Sequence, residues 1–142
     1  MAVIKSYPPN YRDILLALPD VAKNEKAVFC YGDDLYNPSG GEIEADLLLH
    51  EQIHSAQQKA IGVENWWRKF LTDPYFRFDQ ELSAFSAQLA YGKKVYPVKT
   101  SDKMKHDFAV LLSGKQYQTH MSYQEAEIAL RRKTREFDNT VV

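Results

Sequence analysis

The chain has 142 residues, 44% hydrophobic and 26% charged, the composition of a globular protein large enough to bury a core without disulfide or metal staples. Its formal net charge of −1 gives no bulk attraction for nucleic acid or an anionic membrane, so neither is expected as a partner. The one cysteine, Cys30, excludes an intrachain disulfide, and the length predicts a single domain over residues 1–142.

The first residues carry no charged-then-apolar leader, and no apolar run approaches a membrane span, so the expected location is cytoplasmic. Pro8-Pro9-Asn10 resists helix. Tyr11 to Leu18 has helical spacing and Pro19 closes it; Val21 to Lys26 reads as loop. Ala27 to Tyr31 is rich in strand formers, and Leu35-Tyr36 is a second short strand between the turn signals Gly32-Asp33-Asp34 and Asn37-Pro38-Ser39-Gly40-Gly41. The strongest helix runs from about Glu42 to Ala60, with Glu42 and Glu44 in its first turn, where negative charge suits the helix dipole, and Gly62 as its stop. Asn65 caps a shorter helix, Trp66 to Leu71, which Pro74 ends. Phe78 to Tyr91 is helical up to Gly92, residues 93–101 are loop or extended, and two further helices cover Asp102 to Leu112 and Tyr123 to Arg132. The tail after Glu136 frays. The expected fold is therefore α+β and predominantly helical, with a small edge of one or two strands. Cys30, in the apolar run Ala27 to Tyr31, reads as a small buried hydrophobe rather than a nucleophile.

Residues 50–54 read His-Glu-Gln-Ile-His. Four residues along a helix turn the direction by only about 40° and advance roughly 6 Å, so His50 and His54 project from one face and can share one metal ion. Imidazole nitrogen is a preferred zinc ligand, and Glu51 on the adjacent face can take a proton from the water that the metal activates. The motif lies inside a strong helix, and the run Leu47-Leu48-Leu49 is expected to bury that helix in the core. Two histidines on a buried face need a reason to be there.

Zinc needs a third protein ligand. A histidine six residues after His54 would mark a metzincin, but Ala60 occupies that place. Glu81 is the better candidate, because it sits at the margin of the apolar face Phe78, Leu82, Phe85, Leu89, where a carboxylate wants a partner. Ala84, one turn on, lets two helices approach closely. Glu64, His106 and His120 are weaker rivals, and Asp79 points to solvent. Two imidazoles and a carboxylate favour Zn²⁺. Asp46, four residues before His50, is a candidate acceptor for an imidazole N–H. Gln57 and Gln58 extend the metal face, and Arg77 reads as a surface residue or a partner for Glu81 or substrate. His106, His120, Tyr75, Tyr117 and Tyr123 are each candidates to stabilise an oxyanion; Trp66 and Trp67 read as core and lid.

His50-Glu51-Gln52-Ile53-His54 with Glu81-Leu82-Ser83-Ala84 on a later helix resembles the zincin metallopeptidases of the gluzincin kind. The similarity is nearer to minimal bacterial and phage-encoded members, through Gln57 or Gln58, Gly62, Trp66, Trp67 and the segments Tyr31-Gly32-Asp33 and Asn37-Pro38. It covers roughly residues 27–92. It implies a zinc-dependent hydrolase acting on a peptide or protein substrate. His50, His54 and Glu81 would be the ligands, Glu51 the general base, and Ala27 to Tyr31 the edge strand beside the active-site helix. The alternative is a zincin-like module whose metal is structural and which serves binding or assembly.

Overall fold

Short extended segments gather at the front of the chain and helices fill the rest, as the residue pattern predicts. The computed structural model describes residues 1–140. In chain order the elements are β1 (Ala2–Ile4), α1 (Tyr11–Ala17), α2 (Pro19–Ala22), β2 (Phe29–Tyr31), β3 (Asp34–Tyr36), α3 (Ala45–Ile61), α4 (Val63–Thr72), α5 (Pro74–Val95), α6 (Val98–Ser113) and α7 (Tyr123–Thr140). The fold is α+β and predominantly helical. Among the described residues no helix is long and apolar enough to cross a membrane.

The sheet has three strands, one more than expected, in the order β1-β3-β2. β2 and β3 form an antiparallel hairpin, and β1 lies parallel to β3 with Val3 opposite Leu35. Gly32 takes the first of the two loop places at φ 65°, a left-handed conformation that suits glycine and matches the twist of a two-residue hairpin. This leaves β2 at an edge of the sheet, with Cys30 and Gly32 tied back to α3.

Several helix limits differ from the sequence expectation, each for a local reason. Pro19 does not merely close α1 but opens α2 as its first residue, where its missing N–H costs nothing. Pro74 likewise opens α5 rather than ending α4: the Asp73 side chain caps it, accepting from the backbone N–H groups of Tyr75 (3.0 Å) and Phe76 (3.3 Å). Gly62, at φ 93°, separates α3 from α4, so α4 starts earlier than Asn65. Gly92 is no stop. It lies inside α5, where a Cβ would come within 2.8 Å of the Met104 sulfur on α6, so its role is close helix approach. Most of 93–101 is consequently helical, in the end of α5 and the start of α6. Ser122 and Glu125 exchange side chain-to-backbone bonds of 3.1 Å in each direction at the start of α7. That helix runs on to Thr140, past both Arg132 and the expected fraying point at Glu136; residues 141–142 lie outside the described residues.

Two apolar clusters form the interior. One joins Leu82, Phe85 and Leu89 of α5 to Phe108, Ala109 and Leu112 of α6 and Ala126 and Leu130 of α7. The other joins Ile14, Leu18 and Ala22 to Phe29 and to Trp66, Trp67 and Phe70 of α4. α3 belongs to neither. Its four fully buried residues are His50, Glu51, His54 and Gln58, all polar, while Leu47, Leu48, Leu49 and Ile53 are only half-buried. The leucine run therefore does not drive α3 into the core; the helix turns its polar face inward, against α5.

Candidate metal centre

A helix that buries four polar side chains has to satisfy them, because an unpaired buried polar group costs about 1–3 kcal/mol. His50, His54 and Gln58 fall within one stripe, since spacings of four keep returning to one face, and Glu51 flanks it on the adjacent face. α5 meets that stripe with Glu81 and Gln88, which lie seven residues apart and so also share a face. Glu81 is 2% exposed.

The structure brings the three expected ligands together. Glu81 Oε1 lies 2.5 Å from His54 Nε2, and Glu81 Oε2 lies 3.8 Å from His50 Nε2. One ligand atom from each residue falls within 4.8 Å of the others. Donors around tetrahedral zinc, with bonds of about 2.0–2.1 Å, stand about 3.3 Å apart, so modest side-chain motion suffices to hold an ion.

Hydrogen bonding fixes which nitrogen of each ring is free. Gln88 donates its amide to Asp46 Oδ2 (2.7 Å), which turns its carbonyl Oε1 toward His50 Nδ1 at 3.0 Å. Gln57 donates to the Gln80 backbone carbonyl (3.1 Å), which turns its Oε1 toward His54 Nδ1 at 2.8 Å. A carbonyl oxygen only accepts, so both Nδ1 atoms carry a hydrogen and both Nε2 atoms face Glu81; without a metal the His54 Nε2 also carries a proton, donated to the Glu81 carboxylate, which a metal would displace. Tyr96 donates to the other oxygen of Asp46 at 3.0 Å, closing a chain from Tyr96 through Asp46 and Gln88 to His50. Asp46 thus acts one step further back than its spacing from His50 suggested.

Electrostatics favour a cation in this place. Glu51 and Glu81 are both buried carboxylates in contact with the same small space. Burial raises the Glu51 carboxyl above the ordinary range, opposed by His50 and His54 and reinforced by Glu81. Burial alone would raise Glu81 and lower His54, but their mutual attraction overrides it: Glu81 is held far below the usual carboxylate range and His54 is pushed up to about 9. A divalent cation would neutralise both carboxylates where one shared proton neutralises only one. The rings are kept dry by aromatic neighbours, His50 against Phe85 (4.6 Å between centroids) and His54 against Trp66 (5.2 Å).

The cavity between these groups holds about 50 Å³, room for an ion and a water molecule but not for a peptide. Outside it lies a cleft of about 260 Å³, bordered by Val28, Leu47, His50, Glu51, Gln88 and Tyr117. That cleft shares Lys26, Val28, Leu47 and Gln88 with a groove of about 670 Å³ that runs on over the start of α3. The route from solvent to Glu51 therefore passes along residues 26–28, just before edge strand β2.

Of the residues left open as oxyanion donors, Tyr117 alone lines the cavity, together with Glu51 and Glu81. Its hydroxyl donates to Glu81, and burial, followed by that carboxylate, pushes its ionisation well up. His106 and Tyr123 are exposed and pair with each other at 3.0 Å; His120 is exposed and Tyr75 is 78% exposed. Glu64 borders a separate groove of about 590 Å³ between α1 and α4, so His106, His120 and Glu64 are not brought to the metal face.

The remaining expected residues have structural partners. Gln58 bridges to the hairpin, donating to the Cys30 carbonyl (2.9 Å) and accepting from the Gly32 N–H (2.7 Å). Trp66 and Trp67 are core residues whose indoles donate to Gln80 Oε1 (2.8 Å) and the Cys30 carbonyl (3.1 Å). Cys30 is buried as expected, its thiol pushed up to about 12 by burial and then by nearby Glu51. Arg77 does not sit on the surface; it is 3% exposed. Gln88, Tyr96 and Gln80 went unnoticed in the sequence. The only signal for Gln88 was its place two turns after Glu81. Comparison with protein families, with curated proteins and with solved structures found no match to this chain.

Proposed function

We propose that the chain is a zinc-dependent hydrolase of the zincin type, acting on a peptide or protein substrate. The observation that carries the reading is the inward face of α3: His50 and His54 aim their free nitrogens at Glu81, with Glu51 beside them in the same dry cavity. Zinc, when bound, would polarise the scissile carbonyl and acidify a water molecule. Glu51 then accepts the proton of that water as it attacks the carbonyl carbon, and returns a proton to the leaving amine as the C–N bond breaks. Burial raises its proton affinity above that of an ordinary carboxylate, which favours taking up and holding that proton. Tyr117, whose hydroxyl donates to Glu81 in the metal-free protein, would turn that one hydrogen bond to the oxygen on which negative charge develops once Glu81 is engaged by the metal. Gln88 and Gln57 keep the imidazoles in the ligating tautomer.

The test is Glu51→Gln, which retains shape and leaves the three ligands untouched. The variant is expected to keep its zinc and to lose about 10²–10⁴-fold in turnover of a quenched fluorescent peptide library. Turnover equal to that of the unsubstituted protein removes Glu51 from the mechanism.

A second reading, a structural metal in a binding or assembly module, is favoured by the small size of the cavity, about 50 Å³. It predicts a metal with no position open to an added ligand. A hydroxamate that shifts the visible spectrum of the cobalt-substituted protein would exclude it.

A further inference from the structure

Arg77 is a buried cation whose guanidinium is directed at main-chain carbonyls. Its Nε donates to the Tyr117 carbonyl (2.5 Å), Nη1 to the Phe70 carbonyl (2.5 Å) and Nη2 to the Gln118 carbonyl (3.3 Å). The planar fork thereby clamps two successive residues of the α6–α7 connection against the last turn of α4. Burying a guanidinium is costly, and the connection it holds is itself unfavourable. Gln118 has φ 50° and His120 φ 62°, left-handed values that non-glycine residues adopt only where surroundings impose them. Thr119, 1% exposed, adds a tie, its hydroxyl donating to the Leu112 carbonyl at 2.5 Å. With the Gln118 side chain donating to the Ala17 carbonyl at 3.3 Å, four ties converge on residues 117–119, two of them from Arg77, and the one side chain there that reaches the cavity is Tyr117.

We infer that Arg77 is a positioning residue. It holds Tyr117 in the cavity wall beside Glu81 and Glu51, acting through the backbone of residues 117–118 and without touching the site. The inference rests on the role given to Tyr117 above, yet the placement of the ring can be read without any turnover. A surface arginine, or one that pairs directly with Glu81 or a substrate, would lack this signature. The clamp also accounts for an arginine rather than a lysine, because only a fork reaches three carbonyls in different directions.

The experiment uses the full chain labelled with 3-fluorotyrosine, with the Tyr117 resonance assigned by Tyr117→Phe. Arg77→Met removes the clamp; Arg77→Lys retains the charge and the volume should the first variant fold poorly. Zinc content, the ¹⁹F shift of Tyr117 on adding zinc, and kcat and KM on the peptide library are measured for each. Zinc content is expected to stay at the level of the unsubstituted protein. The zinc-dependent shift of Tyr117 should collapse toward the value of a solvent-exposed tyrosine. Tyr117→Phe should lower kcat about 100-fold, and each Arg77 variant should lower it by a similar factor with little change in KM. Adding an Arg77 substitution to Tyr117→Phe should lower it no further. A zinc-dependent shift that survives in both Arg77 variants overturns the inference. So does an equal loss of kcat with and without the Tyr117 hydroxyl, which would give Arg77 a task of its own. Should the zinc-loaded, unsubstituted protein cleave no peptide, the hydrolase reading fails, while the ¹⁹F measurement still decides whether Arg77 positions Tyr117.

Discussion

Replacing Gln88 with leucine isolates the polar chain behind His50. Gln88 is 6% exposed and leucine nearly matches its volume, so packing changes little and hydrogen bonding changes most. Two bonds vanish, one to His50 Nδ1 at 3.0 Å and one to Asp46 Oδ2 at 2.7 Å. Asp46 is half-buried and still has Tyr96 and water, so its loss is small. The His50 N–H is left in a dry, aromatic setting without an acceptor, a penalty of about 1–3 kcal/mol. That proton can escape the penalty by moving to Nε2, which disables the ligand. Either way the cost falls on metal binding, and it converts to about a 5- to 150-fold weaker zinc affinity, a range that contains the 10–100-fold typical of such outer partners. Competition against a chromophoric chelator at pH 7 measures it. Zinc affinity within twofold of the original would refute the role given to Gln88 and the tautomer assigned to His50.

Glu81→Ala is expected to bring zinc content, about one ion per chain in the unsubstituted protein, close to zero after dialysis, measured by elemental mass spectrometry; full retention would remove Glu81 from the ligand set. Zinc uptake at pH 7 should release about one proton per chain, because Glu81 pushes His54 up to about 9 and ligation requires the neutral ring. Calorimetry in buffers of different ionisation enthalpy reads the number, which should fall as pH rises past 9. By the same linkage, the stability that metal-free protein gains from this pair is complete between the ordinary carboxylate value of 4.5 and the ordinary histidine value of 6.5; it is lost as pH climbs through about 9, and again as pH falls well below 4.5 and Glu81 takes up a proton. Gln58→Leu strands the Gly32 N–H, while the Cys30 carbonyl keeps Trp67. A loss of about 1–3 kcal/mol in urea unfolding is expected, and no loss would mean that Gln58 does not hold the hairpin, leaving Ser55, whose hydroxyl donates to the Gly32 carbonyl at 2.8 Å, as its tie to α3.

The parts legible in the sequence were those with strong periodicity or a fixed spacing. The pair His50 and His54 follows from helical geometry alone, and Glu81 betrayed itself as a carboxylate at the margin of an apolar face. The inward turn of α3 was not legible, because three consecutive leucines look like a core-seeking run at any phase, whereas the facing residues on α5 decide which side is buried. Gln88 carried no sign, since glutamine is as common on surfaces as in networks. Pro74 looks equally like a stop for the helix before it and a start for the helix after it, and the Asp73 cap decides for the start. β1 is only three residues long, too short for alternation to register, and its pairing with β3 is set by tertiary contact. The placement of Tyr117 depends on a loop whose two left-handed residues are not glycine, so turn chemistry gave no hint of it.

The polar inner face of α3 has a thermodynamic consequence. Burial of apolar surface is what gives protein unfolding its large positive heat-capacity change, and polar burial contributes with the opposite sign. α3 docks through imidazoles, carboxylates and amides, so its docking adds little to that quantity. Zinc bound between α3 and α5 would raise the melting temperature by mass action while leaving the curvature of the stability curve almost unchanged. The two apolar clusters would set how stability bends with temperature, and the ion would set how high the curve sits.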